Sequence, residues 1–188
     1  MKTFATAVAL LISLAAQPLA PGKEPTVKAI SEEAFYVAGY QVRTNNAGEM
    51  SGHGEIGKLW QRYLQQNLGA QIPDRADGRT LVVYSDYASD ETGDYSYLLG
   101  ARVTSIAHLP ADMSSRKIVP GAYAVLTTDQ GPLIEVVQAE WKKIWAMKPA
   151  ELGGKRAFQT DYEVYDARSA NPQNAQVEIH IGITPPQP

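Results

Sequence analysis

Apolar and polar positions change their period several times along the chain, and the changes divide it into elements. Over residues 35–44, Phe35, Val37, Tyr40 and Val42 give an aromatic and β-branched run that reads as a strand. The polar, glycine-bearing stretch 45–54 reads as a loop. Over 55–68 the spacing becomes helical, with Ile56, Leu59, Trp60, Tyr63 and Leu64 recurring at steps of three and four, so that one face is apolar. Residues 80–87 and 95–104, joined by the polar stretch 88–94, predict a β-hairpin.

The same succession then repeats. Residues 117–128, centred on Gly121-Ala122-Tyr123-Ala124-Val125-Leu126, predict a strand, and Gly131-Pro132 opens a helix over 133–147, with the proline suited to its first turn. Leu133, Val137, Trp141, Ile144 and Trp145 share a face of that helix. Strands over 157–166 and 175–183 follow, separated by a turn-rich segment, and the proline-rich tail 185–188 cannot continue a sheet. Strand, helix, strand, strand is thus performed twice at an offset of about 80 residues. Gly39-Tyr40-Gln41-Val42 echoes Gly121 to Val125, and Asp86-Tyr87 echoes Tyr165-Asp166. The pattern predicts an α+β domain made of a duplicated module, with antiparallel sheets and two helices.

The N-terminus lies outside this pattern. Met1-Lys2-Thr3 precedes an uncharged run over 4–16 that is too short to span a bilayer comfortably, which predicts a signal peptide over 1–16 cleaved after Ala15 or Ala16. A periplasmic or secreted protein with no stable membrane anchor is expected. Residues 17–33, rich in proline and charge, read as an extended lead-in to one domain over 34–184.

Composition removes several function classes. The 188 residues contain no cysteine, so a lipid-modified thiol, a disulfide framework and a thiolate metal site are all excluded. The formal charge is −3, and the longest basic runs are the pairs Lys142-Lys143 and Lys155-Arg156, too little for a nucleic-acid surface. His53, His108 and His180 have no metal-ligand spacing, and no Walker, dinucleotide or nucleophilic-serine motif occurs; neither a metal nor a cofactor is expected. Asp86, Asp90, Glu91 and Asp94 crowd the first hairpin without the order of a calcium loop, and read as a solvated turn.

Four segments in register carry a resemblance. They are Ile118-Val119-Pro120-Gly121-Ala122-Tyr123-Ala124-Val125, Glu140-Trp141-Lys142-Lys143-Ile144-Trp145, Asp161-Tyr162-Glu163-Val164-Tyr165, and Val177-Glu178-Ile179-His180-Ile181-Gly182-Ile183. Together they resemble the GyrI-like effector-binding domains found alone or fused to AraC-type and MerR-type regulators. The resemblance implies a central ligand cavity between the halves that accepts bulky, often cationic and aromatic molecules, with Glu163 and Glu178 as its carboxylates. It also implies a runner-up, since some stand-alone relatives resemble hydrolases of electrophilic compounds, and a third reading as an interaction or inhibitor module. The chain departs from the family in having His180 and Gly182 where an aromatic residue and a proline are usual. It also has an export signal and no helix-turn-helix, which argues against a transcriptional role.

Alternation along the strands fits this reading. Asp161, Glu163 and Tyr165 share a face with Gln159, while Glu178 and His180 lie opposite Val177, Ile179, Ile181 and Ile183; if the two strands pair, their polar faces are expected to merge. A carboxylate on a water-poor wall needs a partner, which an organic cation supplies, and aromatic rings add a negative face toward it. The candidate ligand-binding set is therefore Glu163, Glu178, Tyr40, Tyr123, Tyr165 and one of Trp141 or Trp145. On the hydrolase reading, Glu163 or Glu178 acts as base or nucleophile, with Tyr123 or Tyr165 as the acid. The tryptophans, Trp60 included, also lie on helix stripes that ordinarily build core.

Overall fold

The computed structural model describes residues 27–186. The expected signal peptide over 1–16 lies outside the described residues, as do the first part of the lead-in and the end of the tail. Eight strands form one continuous antiparallel sheet: β1 (Lys28–Glu32), β2 (Phe35–Thr44), β3 (Thr80–Ser85), β4 (Tyr95–Val103), β5 (Ser114–Ile118), β6 (Gly121–Thr127), β7 (Lys155–Tyr165) and β8 (Glu178–Thr184). Their order across the sheet is β1-β6-β8-β7-β3-β4-β2-β5. Among the described residues four α-helices accompany them, α1 (Asn46–Met50), α2 (Ile56–Gln65), α3 (Leu133–Ala146) and α4 (Pro149–Leu152). The α+β class and the twofold repeat hold, in a single sheet.

Two corrections concern the ends of the modules. Part of the expected lead-in is β1, whose register sets Ile30 opposite Tyr123. The expected strand over 117–128 is two strands, because Pro120 has no N–H to continue a ladder and the chain turns there from β5 into β6. Each extra strand is exchanged. β1 leads into β2 but pairs with β6, and β5 leads into β6 but pairs with β2, so each half lends an edge strand to the other. A third correction is that the loop after β2 contains α1, whose N-cap Asn45 accepts a hydrogen bond from the Gly48 N–H at 2.8 Å.

Both long helices lie on one face of the sheet, each over its own half. Leu59 and Tyr63 of α2 pack with Tyr40, Val82 and Leu99, while Trp141 and Ile144 of α3 pack with Leu126, Ile179 and Ile181. Tyr84, on the central strand β3, touches both clusters. The other face is apolar too, with Val37, Leu81, Val83, Leu98 and Tyr162 buried, because the sheet curls over it. Phe35 on β2 and Tyr162 on β7 are three strands apart, about 14 Å in a flat sheet, yet their ring centroids are 5.7 Å apart. Gly39 and Gly100 face each other across β2 and β4, where a Cβ on either would overlap the partner backbone.

Candidate functional site

The centre of the helix-covered face, at the seam between the halves, holds an aromatic cage around one carboxylate. Glu163 is 1% exposed. Its Oε1 accepts hydrogen bonds from the Tyr84 hydroxyl at 2.9 Å and the Trp141 indole N–H at 2.6 Å, and its Oε2 accepts from the Tyr165 hydroxyl at 2.6 Å. All three donors are neutral, and among the described residues no basic side chain pairs with it. Loss of solvation pushes the Glu163 carboxyl above the usual carboxylate range, against the three hydrogen bonds that favour the ionised form. Burial and the nearby carboxylate hold the hydroxyls of Tyr84, Tyr97 and Tyr165 well above the usual phenol range, so they remain donors.

Rings pack edge to face around this group. Tyr84 contacts Trp141 with centroids 4.8 Å apart, Tyr97 at 5.2 Å and Tyr95 at 5.5 Å. Trp60 of α2 lies 5.1 Å from Tyr165 and donates its indole N–H to the Tyr97 hydroxyl at 2.7 Å. Two residues before Glu163, on the same face of β7, a second buried carboxylate is treated differently. Asp161 accepts from the Arg156 guanidinium at 2.7 Å, the Tyr87 hydroxyl at 2.7 Å and the Gly182 N–H at 2.8 Å. That ion pair neutralises Asp161, whereas Glu163 has no such partner among the described residues.

An open groove of about 690 Å³ borders the cage between the two helices. Trp60 and Leu64 of α2, Leu133 at the start of α3, Arg79, Tyr165 and Pro172 line it. Tyr165 is shared, since its ring walls the groove while its hydroxyl holds Glu163. Leu64 was expected on the buried stripe of α2; it is 69% exposed and faces the groove instead. The model of the integron-associated effector-binding proteins matches residues 30–183. The chain belongs to that family.

Other comparisons agree with this membership. The Bacillus subtilis (strain 168) protein YobU, whose name places it among transcriptional regulators, is 33% identical over 147 residues, or 78% of this chain and 90% of YobU. An integron cassette protein from Vibrio cholerae superposes with a TM-score of 0.66 at 28% identity, covering 84% of this chain and 95% of that one. The structure of SAV2435 bound to tetraphenylphosphonium superposes with a TM-score of 0.67 at 16% identity, over 84% and 93% of the two chains, which shows a shared fold. Like these neighbours, this member of the family has the GyrI-like fold, and family and fold together make it a small-molecule-binding protein.

The geometry sorts the residues expected at the site of this effector-binding protein. Glu163, Tyr165 and Trp141 meet in the cage, and Trp145 lies one helical turn behind, its rings 6.2 Å from Trp141 and tilted by 34°. Glu178 does not join them. β7 and β8 do pair, but Glu163 stands opposite Ile179 and Val164 opposite Glu178, so the two carboxylates point to opposite faces and the expected merger of polar faces fails. Glu178 instead meets Arg168 at 2.9 Å. Tyr123 also lies on the far face, with its hydroxyl on the Val119 carbonyl at 2.8 Å and beside the Thr160 hydroxyl at 2.6 Å, so no acid–base pair with Glu163 forms. Tyr40 has the correct face but sits three strands from β7, under the Arg62 guanidinium at 5.5 Å. Gln159, expected beside Asp161, is exposed in a bulge of β7.

Sequence reasoning missed Tyr84, Tyr95, Tyr97 and the polar role of Trp60. Tyr84 and Tyr97 alternate with buried aliphatic residues like ordinary core positions. The available signal was the density of tyrosine in the first hairpin: Tyr84, Tyr87, Tyr95 and Tyr97 place four hydroxyls on an otherwise apolar face, where each needs a partner.

Proposed function

We propose that the protein is exported and that the cage around Glu163 captures a lipophilic organic cation. One observation carries the reading: a carboxylate 1% exposed, held only by neutral donors and ringed by aromatic side chains, with no balancing charge among the described residues. Aromatic faces attract cations and exclude water, so affinity and selectivity arise from the same rings. The groove beside Trp60 and Tyr165 offers an approach, and rotation of the Tyr165 side chain would open Glu163 to it. The tetraphenylphosphonium bound to SAV2435, a protein of the same fold, is a molecule of this class. The uncharged run after Lys2 supports export.

Calorimetric titration of the purified protein with tetraphenylphosphonium tests the cage. Glu163→Gln keeps the shape and removes the charge, and should weaken binding at least about tenfold, or 1.4 kcal/mol. Equal affinity in both proteins would overturn the assignment. Export is tested by the mass and location of the chain expressed in a Gram-negative host: a shortened periplasmic form is expected, and a full-length cytoplasmic one would refute it.

A further inference from the structure

The groove beside the cage differs from it in chemistry. Glu163 is held by Tyr84, Trp141 and Tyr165, whereas the groove runs from Trp60 and Tyr165 onto the aliphatic side chains of Leu64, Leu133 and Pro172. Its two charged lining residues are already paired, Arg79 with Asp77 at 2.7 Å and Asp166 with Arg168 at 2.7 Å. Neither calls for a charge on a ligand. The walls are fixed by the backbone, because the Leu133 N–H donates to the Pro172 carbonyl at 2.9 Å and joins the first turn of α3 to the loop after β7. The Arg168 N–H donates to the Asp166 carboxylate at 2.9 Å within that loop.

Comparison of the two halves shows what opens this space. Trp60 against Tyr165, at 5.1 Å, and Trp141 against Tyr84, at 4.8 Å, are equivalent pairs in the repeat, since Trp60 and Trp141 stand at the same offset as Tyr84 and Tyr165. On each helix the residue four positions after the tryptophan shares its face. After Trp141 this residue is Trp145, whose rings lie 6.2 Å from Trp141 and which packs on the core beneath α3. After Trp60 it is Leu64, which is mostly exposed and lines the groove. Where one half places an indole, the other leaves a groove. Water lying against Leu64 and Leu133 is released when an apolar group covers them.

We infer that the groove seats a hydrocarbon arm of the ligand and that Leu64 determines how strongly the arm is held, so that the ligand class is an amphiphilic cation with one flexible aliphatic chain. The inference rests on the proposed cation at Glu163 for the position of the charged head. Tyr165 joins the two parts, its ring in the groove and its hydroxyl on Glu163. A single arm fits, because Trp145 occupies the equivalent flank beside Trp141. An aliphatic chain suits a groove open to solvent, since it strands no hydrogen-bonding group and gains in proportion to the area covered.

Calorimetric titrations of the full chain with benzyldimethylbutylammonium and benzyldimethyloctylammonium test this. The four extra methylenes should tighten binding at least about tenfold, roughly twofold each for a chain half covered by the groove. Leu64→Ser, at a position mostly exposed to solvent, should cut that ratio at least about threefold and change the affinity of the butyl compound by less than about twofold. Equal affinity of the two compounds for the unaltered protein would overturn the inference, and so would a ratio that Leu64→Ser leaves unchanged. Glu163→Gln separates the arm from the head: it should weaken both compounds by the same factor and preserve their ratio. If it weakened neither while the ratio still depended on Leu64, the groove would stand as the seat of the arm and Glu163 would fall as the anchor of the charge. If it weakened both and their affinities were equal, the cage would stand and the arm would have no seat.

Discussion

Asp161 and Glu163 are two residues apart, face the same way from one strand, and are both buried, yet they are stabilised by opposite means. Asp161 has a guanidinium, a hydroxyl and a backbone N–H. Glu163 has three neutral donors and, among the described residues, no cation. The pair at Asp161 ties the bulge of β7 to β8 and is part of the architecture, because removing either partner strands a charge in the core. Among the described residues nothing of opposite charge pairs with Glu163, and its burial costs stability that the proposed cation would restore. Neighbouring acids can therefore differ in whether their counter-charge is intramolecular, and on the proposed function that difference separates structure from recognition.

The sharpest way to break this comparison is to remove one carboxylate at a time. Asp161→Ala leaves Arg156 buried and unpaired, and should cost about 3–5 kcal/mol, read as a fall in urea midpoint at unchanged slope. Glu163→Gln removes a charge that has no partner, and should change stability by less than about 1 kcal/mol. Comparable losses in the two variants would mean that both acids are architectural.

The next effect is a pH dependence of opposite sign for stability and binding. Burial raises the Glu163 carboxyl above its unfolded value, so between the two the native state holds more protons than the unfolded state. Unfolding free energy contributed by this group therefore rises as pH falls through the raised value, and the gain is complete below the ordinary carboxylate range. Cation affinity should move the other way, falling up to about tenfold per pH unit as the carboxylate is neutralised. Subtracting the Glu163→Gln profile from that of the unaltered protein isolates the group, and parallel profiles would remove Glu163 from both roles. Tyr165→Phe deletes a hydrogen bond that favours the ionised form, so its binding midpoint should lie at higher pH.

How far the cage could be read from sequence follows from how local each of its parts is. Strand β2 and the bounds of α3 follow from one stretch of sequence each, because a period of two or 3.6 is a local property. The face of Glu163 is local as well, since Asp161, Glu163 and Tyr165 alternate within one strand. Its neighbours are not. The hydroxyl of Tyr84 meets a carboxylate 79 positions away, and nothing around Tyr84 distinguishes it from core. The register of β7 on β8 decided Glu178: a shift of one residue sends every side chain to the other face, and the bulge at 156–161 makes that shift invisible to simple alternation. β1 was hidden for another reason. It is an edge strand, mostly exposed, with charges at both ends, and such a strand resembles a polar linker.

The smallest expected effect is the most exacting test of the two-face geometry. Tyr123 resembles the cage tyrosines in sequence context and in depth of burial, being 2% exposed. Its hydroxyl bonds to Val119 and Thr160 behind the sheet, whereas those of Tyr84 and Tyr165 reach Glu163 in front of it. Tyr123→Phe should cost about 1 kcal/mol of stability, the usual worth of a buried hydrogen bond, and change cation affinity by less than about twofold. Tyr165→Phe, which loses the same hydroxyl on the other face, should alter affinity and its pH midpoint. If Tyr123→Phe weakened binding as strongly as Tyr165→Phe, the ligand would have to reach both faces of the sheet, and the cage around Glu163 could not be the whole site.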